Sequence, residues 1–290
     1  SITMINEIAT QFSCQNYELV GICHPAEKEM GIVIVTGGPQ YRIGSHRQFL
    51  LIARALAQAC YPVFRFDYRD MGDSCSQADV VTFEYTRFDQ TTADIIAAID
   101  EFKHQQPQIK KIVLLGLCDA ASAILIAIPY IKANVSGIIL INPWVYQEKT
   151  IAKTYLKYYY VQKLKQKEFW INLFTFKINF IHSLKSIAHK CHSAFSNTRD
   201  AEKSQTSFID QMFLGLLHYK GKILTLLSED DLTAREFQLF IKENKTWENK
   251  LNQANHSSLI LPGTDHTFSN KQSRQQVIDS ICQWLKNIAG

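Results

Sequence analysis

Short apolar runs alternate along the chain with longer segments in which apolar residues recur every three or four positions. Gly31-Ile-Val-Ile-Val-Thr36 is a β-branched run halted by Gly37-Gly38-Pro39, the pattern of a buried strand entering a loop. Arg47 to Cys60 places Phe49, Leu50, Ala53, Leu56 and Ala57 at helical spacing, and Pro62-Val-Phe-Arg-Phe-Asp67 reads as the next strand. A helix is predicted over Phe88 to Gln105, a strand over Lys111 to Gly116, a helix over Asp119 to Ile131 and a strand over Ser136 to Ile141. The alternation lapses over 145–219. It resumes with strands at Lys222–Leu227 and Ser257–Leu261, followed by helices at Thr233–Lys242 and Lys271–Ile288. Phe12 to His24 alternates weakly, as an antiparallel hairpin at a sheet edge would. Strands separated by helices imply parallel βαβ units with helices on both faces. The expectation is a mostly parallel eight-stranded sheet built from 1–144 and 220–290, with 145–219 inserted as a helical cap.

Composition narrows the class. With 46% hydrophobic and 20% charged residues over 290 positions, the chain has the profile of a globular protein with one large core. Its formal net charge of +4 is small, and no arginine-rich run or zinc-finger spacing accompanies it, so nucleic acid is set aside. The beginning of the chain lacks a charged segment followed by an apolar one, and Ala120 to Leu140 is interrupted by Pro129, Lys132, Asn134 and Gly137. Neither a secretory signal nor a transmembrane segment is expected. Seven cysteines, unpaired in spacing, point to a reducing cytoplasm rather than to disulfides or a zinc site. The inserted segment is lysine-rich and aromatic, with Tyr155, Tyr158, Tyr159, Tyr160, Phe169 and Trp170 among its residues. It reads first as an amphipathic cap packed on the main domain, and alternatively as the lining of an acyl pocket or a dock for an acidic partner or an anionic membrane surface.

The chemistry concentrates at Gly116-Leu-Cys-Asp-Ala120, where a hydrophobic strand passes into a helix through G-x-C-x-A. Small residues two before and two after the central one permit the tight nucleophile elbow of α/β hydrolases. Cys118 is therefore the expected nucleophile. Its place at a helix N-terminus is expected to lower the thiol pKa, and the Asp119 N–H is expected to donate to an oxyanion. Ser122 falls inside the helix and is discounted. In that fold the acid and the histidine follow the nucleophile in chain order. The strand ending at Leu227 runs into Ser228-Glu-Asp-Asp231, where Asp231 is preferred to Asp230 as the acid. The last strand runs into Pro262-Gly-Thr-Asp-His266, which makes His266 the base, while His256 is expected at the surface. The loop after the first buried strand should supply the second oxyanion donor, for which Gln40 is preferred because Pro39 lacks an N–H, with Gly38 or Tyr41 as alternatives. Tyr41, Arg42 and His46 are candidates for substrate binding; Arg42 and His46 could equally anchor the loop. Asp67 to Ser74 is expected to be structural.

The segments Gly37-Gly-Pro-Gln-Tyr-Arg-Ile-Gly-Ser-His-Arg47, Phe66-Asp-Tyr-Arg69, Met71-Gly-Asp-Ser74, Gly116-Leu-Cys-Asp-Ala-Ala-Ser122, Asn142-Pro-Trp144, Asp231-Leu-Thr-Ala234 and Asp265-His-Thr-Phe-Ser269 together resemble the exosortase A system-associated hydrolase 1 family. The resemblance covers residue 30 to the end and is weakest in the cap. It implies a cytoplasmic bacterial α/β hydrolase with Cys118, Asp231 and His266 as its triad. Asp70 departs from the glycine usual in that family.

The expected activity is cleavage of an ester or thioester through an S-acyl enzyme, with no cofactor and no metal. Because a thioester is readily aminolysed, acyl transfer to an amine, alcohol or thiol is an alternative. A non-catalytic binding scaffold is another. The cap lysines suggest coenzyme A or an acyl-carrier protein as the acyl carrier. The sequence does not indicate an oligomeric state.

Overall fold

A computed structural model of the chain describes residues 6–37, 42–69, 73–74, 88–145 and 199–289. The chain divides into two compact units, one made of 1–145 with 211–290 and the other of 146–210. The expected cap lies for the most part outside the described residues, as does Asp70.

The larger unit is an eight-stranded sheet in the order β1-β2-β4-β3-β5-β6-β7-β8. Its strands are β1 (Ile8–Cys14), β2 (Tyr17–His24), β3 (Met30–Val35), β4 (Val63–Phe66), β5 (Lys111–Leu117), β6 (Val135–Ile141), β7 (Lys222–Ser228) and β8 (His256–Leu261). Only β1–β2 and β2–β4 pair antiparallel. All other neighbours are parallel, as expected, with the hairpin at one edge. The central strands are buried on both faces, which is why they read as continuous apolar runs rather than as alternating ones.

The helices are α1 (Gln48–Gln58), α2 (Phe88–Gln105), α3 (Asp119–Ala127), α4 (Arg199–His218), α5 (Leu232–Glu243), α6 (Lys245–Leu251) and α7 (Lys271–Ala289). On one face α1 and α7 close over a core that includes Ile32, Ile34, Leu115, Ile139 and Leu226 from the sheet, with Phe49, Ile52, Ile281 and Trp284 from the helices. On the other face α2 packs beside α3. The C-terminal part of α4 runs so close to α3 that a Cβ on Gly215 would sit 1.6 Å from the Leu125 carbonyl oxygen. Trp247 of α6 joins that layer through Phe213 of α4 and Phe240 of α5, at ring separations of 5.3 and 5.2 Å. The predicted α3 is shorter than its apolar run because Pro129 ends it in a 3₁₀ turn over Ile128–Tyr130. The sequence reading missed α6, which is only seven residues long.

Buried charge fixes the loops at the carboxyl ends of the strands. Arg69 donates from Nε and Nη2 to Asp94 Oδ1 at 2.9 and 2.6 Å, and both residues are buried. Arg65 donates to the Arg42 carbonyl at 2.6 Å and to His24 Nε2 at 3.0 Å. Asp67 accepts from the Arg42 N–H and guanidinium, and Ser74 Oγ donates to the Asp67 carbonyl. The stretch from Asp67 to Ser74 is structural where it is described, as its sequence suggests.

Candidate active site

The end of β5 is a sharp bend. Cys118 has φ 60° and ψ −121°, a left-sided conformation that non-glycine residues adopt at a cost of about 1–3 kcal/mol. Hydrogen bonds hold it on both sides. Its N–H donates to the Ile141 carbonyl at 2.9 Å, while its own carbonyl accepts from Trp144 at 3.3 Å and Ala121 at 3.1 Å. The bend also needs missing side chains. A Cβ on Gly116 would stand 2.7 Å from the Ala120 carbonyl carbon and 2.8 Å from the Ala121 nitrogen, inside the first turn of α3. A Cβ on Gly37 would lie 2.3 Å from Asp119 Oδ1 and 2.8 Å from the Ala120 nitrogen, so the loop leaving β3 starts against the same helix end. The small residues of the sequence motif therefore have a geometric cause. Ser122 is buried in α3, its hydroxyl donating to the Trp144 carbonyl at 2.6 Å, and it is not presented.

Two neighbouring strands bring an acid and an imidazole together. Asp231 ends the loop after β7 and caps α5, accepting from the Thr233 N–H at 3.3 Å and the Ala234 N–H at 3.1 Å. The same carboxylate lies 2.9 Å from His266 Nδ1. An ionised carboxylate only accepts, so Nδ1 carries the proton and Nε2 is left with its lone pair. The two loops are cross-tied. Glu229 N–H donates to the Leu261 carbonyl at 3.1 Å, Asp230 N–H to the Thr264 carbonyl at 3.0 Å, and Gly263 N–H to Glu229 Oε2 at 2.9 Å. Asp231 is buried and Asp230 exposed. This separates the two aspartates that the sequence left close in claim. The His266 side chain keeps 32% of its surface exposed, enough for a substrate to reach it.

Asn142 links this pair to the bend. It follows β6, is fully buried and sits at φ 44°. Its side-chain oxygen accepts from the Ser228 N–H at 2.8 Å, and its amide donates to Ser228 Oγ at 3.0 Å and to the His266 carbonyl at 3.5 Å. Two residues on, Trp144 holds the Cys118 carbonyl. One short turn thus touches the cysteine loop, the acid loop and the histidine loop. Sequence reasoning assigned Asn142 no role of its own. The available signal was an asparagine set directly before a proline at the end of an apolar strand.

Electrostatics depart from expectation at the thiol. Cys118 is half-buried, and burial, followed by the charge of Asp119, pushes its pKa up to about 12. Asp231 and Glu236 push the same way, and only the Asp119 backbone N–H favours the thiolate. The expectation of a standing low-pKa thiolate is therefore corrected. One helix terminus does not outweigh desolvation together with adjacent carboxylates. Burial pulls the imidazole of His266 down, but the hydrogen bond and charge of Asp231, joined by Asp119 and Asp265, leave its pKa raised. Glu236, buried on α5, is pushed up to about 7 by burial and then by Asp231. It too escaped sequence reasoning, although a glutamate four residues before Phe240 falls on the apolar stripe of its helix. Among the described residues no hydrogen bond joins the Cys118 thiol to His266.

The remaining predicted residues divide. Asp119 opens α3, and its charge acts on both Cys118 and His266. Gln40 and Tyr41 lie outside the described residues. The Arg42 guanidinium is engaged by Asp67 and by Asp73, which makes it the loop anchor that was one of its two readings. His46 is exposed, and its charge reaches Asp265, next to His266. His256 is not the surface residue expected. It opens β8 half-buried, with Nδ1 on the Leu251 carbonyl and Nε2 2.8 Å from Thr225 Oγ1.

No protein-family model matches the sequence, and a search of curated proteins finds no match. Solved structures do match over nearly the whole chain. An esterase from Pyrococcus furiosus aligns with a TM-score of 0.65 at 16% identity, covering 99% of this chain and 92% of its own. A dienelactone hydrolase from Anabaena variabilis aligns with a TM-score of 0.59 at 14% identity, covering 98% of each chain. An α/β serine hydrolase without a lid from Xanthomonas campestris aligns with a TM-score of 0.55 at 13% identity, covering 97% of this chain and 94% of its own. At such identities the likeness is one of fold. The chain has the α/β-hydrolase fold.

Proposed function

We propose that this α/β-hydrolase-fold chain cleaves esters or thioesters with Cys118 as nucleophile, His266 as general base and Asp231 as the group that orients and charges the imidazole. One observation carries the reading. A buried carboxylate holds His266 Nδ1 at 2.9 Å, and the same Asn142–Trp144 turn that supports this loop also supports the strained cysteine bend. A thiol pushed up to about 12 is not ionised at rest. The base therefore removes the Sγ proton as sulfur attacks the acyl carbonyl. The S–C bond forms, and the carbonyl electrons move to an oxyanion beside the Asp119 N–H. Collapse expels the alcohol or thiol, which takes the proton from the imidazolium. Water then attacks the S-acyl enzyme with His266 as base, releasing the acid and restoring the thiol.

The carboxylates of Asp119, Asp231 and Glu236 act on the sulfur, so an uncharged acyl portion suits the space next to it. Coenzyme A or an acyl-carrier protein as donor rests on the cap lysines, which lie outside the described residues. The motif resemblance to the exosortase A system-associated hydrolase 1 family supports the cysteine chemistry. Cys14, Cys23, Cys60, Cys118 and Cys282 are free thiols, which suits the reducing compartment that a cysteine nucleophile needs.

The test is turnover of short acyl p-nitrophenyl esters and acyl thioesters by the native chain and by Cys118→Ala, with mass-spectrometric search for an acyl adduct. An adduct on Cys118 and loss of turnover in the variant support the reading. Undiminished turnover in the variant, or no turnover of either substrate class by the native chain, refutes it and favours a binding scaffold. Amide product formed with an added amine would move the assignment to acyl transfer.

A further inference from the structure

The sheet ends at β8 with an unusual edge. Ser257, Ser258, Leu259 and Ile260 are all exposed, although α7 packs beside the strand. Leu259 and Ile260 keep 45% and 57% of their surface in water. From Ser257 to Pro262 the strand carries no charge. Edge strands usually carry a lysine, a bulge or a cover that discourages pairing.

The register shows which backbone groups are unused. Asn255 and Leu261 carbonyls accept from Ile223 and Glu229 of the β7 side, so in this parallel pair the odd-numbered residues 257, 259 and 261 face β7. Ser258 and Ile260 therefore direct their N–H and C=O outward, away from the sheet.

From this edge we infer that β8 pairs antiparallel with β8 of a second copy of the chain, on a two-fold axis passing beside Leu259. Three registers are possible along so short a strand, and two of them fail. Centring on Ile260 sets Ser258 against Pro262 of the other copy, which has no N–H to give. Centring on Ser258 sets Ile260 against His256, whose N–H is already donated to the Gln253 carbonyl at 3.0 Å. Centring on Leu259 sets Ser258 against Ile260 twice and pairs all four outward N–H groups with four outward carbonyls. Leu259 then meets its own symmetry mate across a non-hydrogen-bonded pair, on the face that holds Leu226 and Leu261. Ile260 covers Ser258 of the other copy on the opposite face. A strand without charge meets its copy without repulsion, and the contact is isologous and closed. The result is one continuous sheet through two molecules. Because β8 leads directly into the loop carrying His266, pairing also stiffens one side of the candidate site.

Sedimentation velocity of the full chain, in reductant and over a wide concentration range, is expected to give twice the mass of a single chain. Ile260→Lys is expected to give the monomer with an unchanged circular dichroism spectrum. The register is read separately in a Cys60→Ser background. In it Leu259→Cys is expected to form an intermolecular disulfide on mild oxidation, because facing Cα atoms of such a pair stand about 4.5 Å apart. Ile260→Cys, offset by two residues from its mate, is not. A native chain that stays monomeric overturns the inference. So does a dimer that survives both Ile260→Lys and Leu259→Lys, or cross-linking through residue 260 but not through 259. If Ile260→Lys fails to fold, the cysteine pair still decides.

Discussion

Asp231 carries two duties on one carboxylate, and two substitutions separate them. It caps α5 by accepting from Thr233 and Ala234, and it holds His266 Nδ1 through Oδ2. Asp231→Asn keeps Oδ1 for the Thr233 N–H, but an amide nitrogen in place of Oδ2 no longer accepts from Ala234, so stability should fall by about 0.5 kcal/mol. The amide NH₂ then faces His266 and donates. This forces Nδ1 to accept and moves the ring proton to Nε2, where it disables the base. The charge that raises the imidazole pKa is lost at the same time, so that pKa falls. The sign follows directly. A raised histidine pKa stabilises the native fold below its unfolded value, and this stabilisation is lost as pH rises through the folded pKa. In Asp231→Asn that acid-side increment disappears. Catalysis should drop by about 10³–10⁴, or roughly 4–5.5 kcal/mol in the barrier. Asp231→Ala removes the cap as well, costing about 1 kcal/mol and lowering Tm by about 2–4 °C. Ester turnover measured beside thermal denaturation at several pH values distinguishes the two. If Asp231→Asn retains turnover within threefold of the native chain, Asp231 is a helix cap and the triad reading fails.

Further predictions concern the bend and its charges. Gly116→Ala drives a methyl to within 2.8 Å of the first turn of α3, so chemical denaturation should show a loss of at least about 1–3 kcal/mol, and turnover should fall with it; native-like stability would mean that the bend tolerates a side chain. Asp119→Asn removes the larger of the charges that raise the Cys118 pKa. The rate of thiol alkylation near pH 8, followed by mass spectrometry, should rise by roughly tenfold, whereas an unchanged rate would show that burial alone sets the thiol. Glu236 has a folded pKa of about 7, above its unfolded value, so the native chain loses stability between about pH 4.5 and 7. Glu236→Gln should abolish that loss, on the order of 1–3 kcal/mol in denaturant midpoints at pH 8 against pH 5, and equal pH slopes in both chains would contradict it.

The alternation of apolar runs was enough to predict the parallel sheet, its edge hairpin and most of its helices. Burial on both faces leaves an imprint on every residue of a strand, and that imprint is local. The bend was legible for the same reason. Gly116 is small because a side chain there would stand 2.7 Å from the Ala120 backbone in the first turn of α3, and Cys118 sits on the bend between them as the candidate nucleophile. Chain order then pointed to His266 as the candidate base and to two adjacent aspartates as the candidate acid. What folding alone decided was which groups share one low-dielectric space. Adjacent in sequence, Asp230 and Asp231 end up exposed and buried, because only the second one starts a helix. Asn142 acts on His266 across 124 residues and Glu236 on Cys118 across 118, partners that no local pattern announces. A thiol at a helix N-terminus, expected to ionise readily, is instead pushed up first by burial, then by the adjacent Asp119 and by Asp231 and Glu236, which packing brings near. Period and spacing report the environment of one segment at a time. The balance of desolvation and charge at a site is a sum over segments, and it exists only once they have packed together.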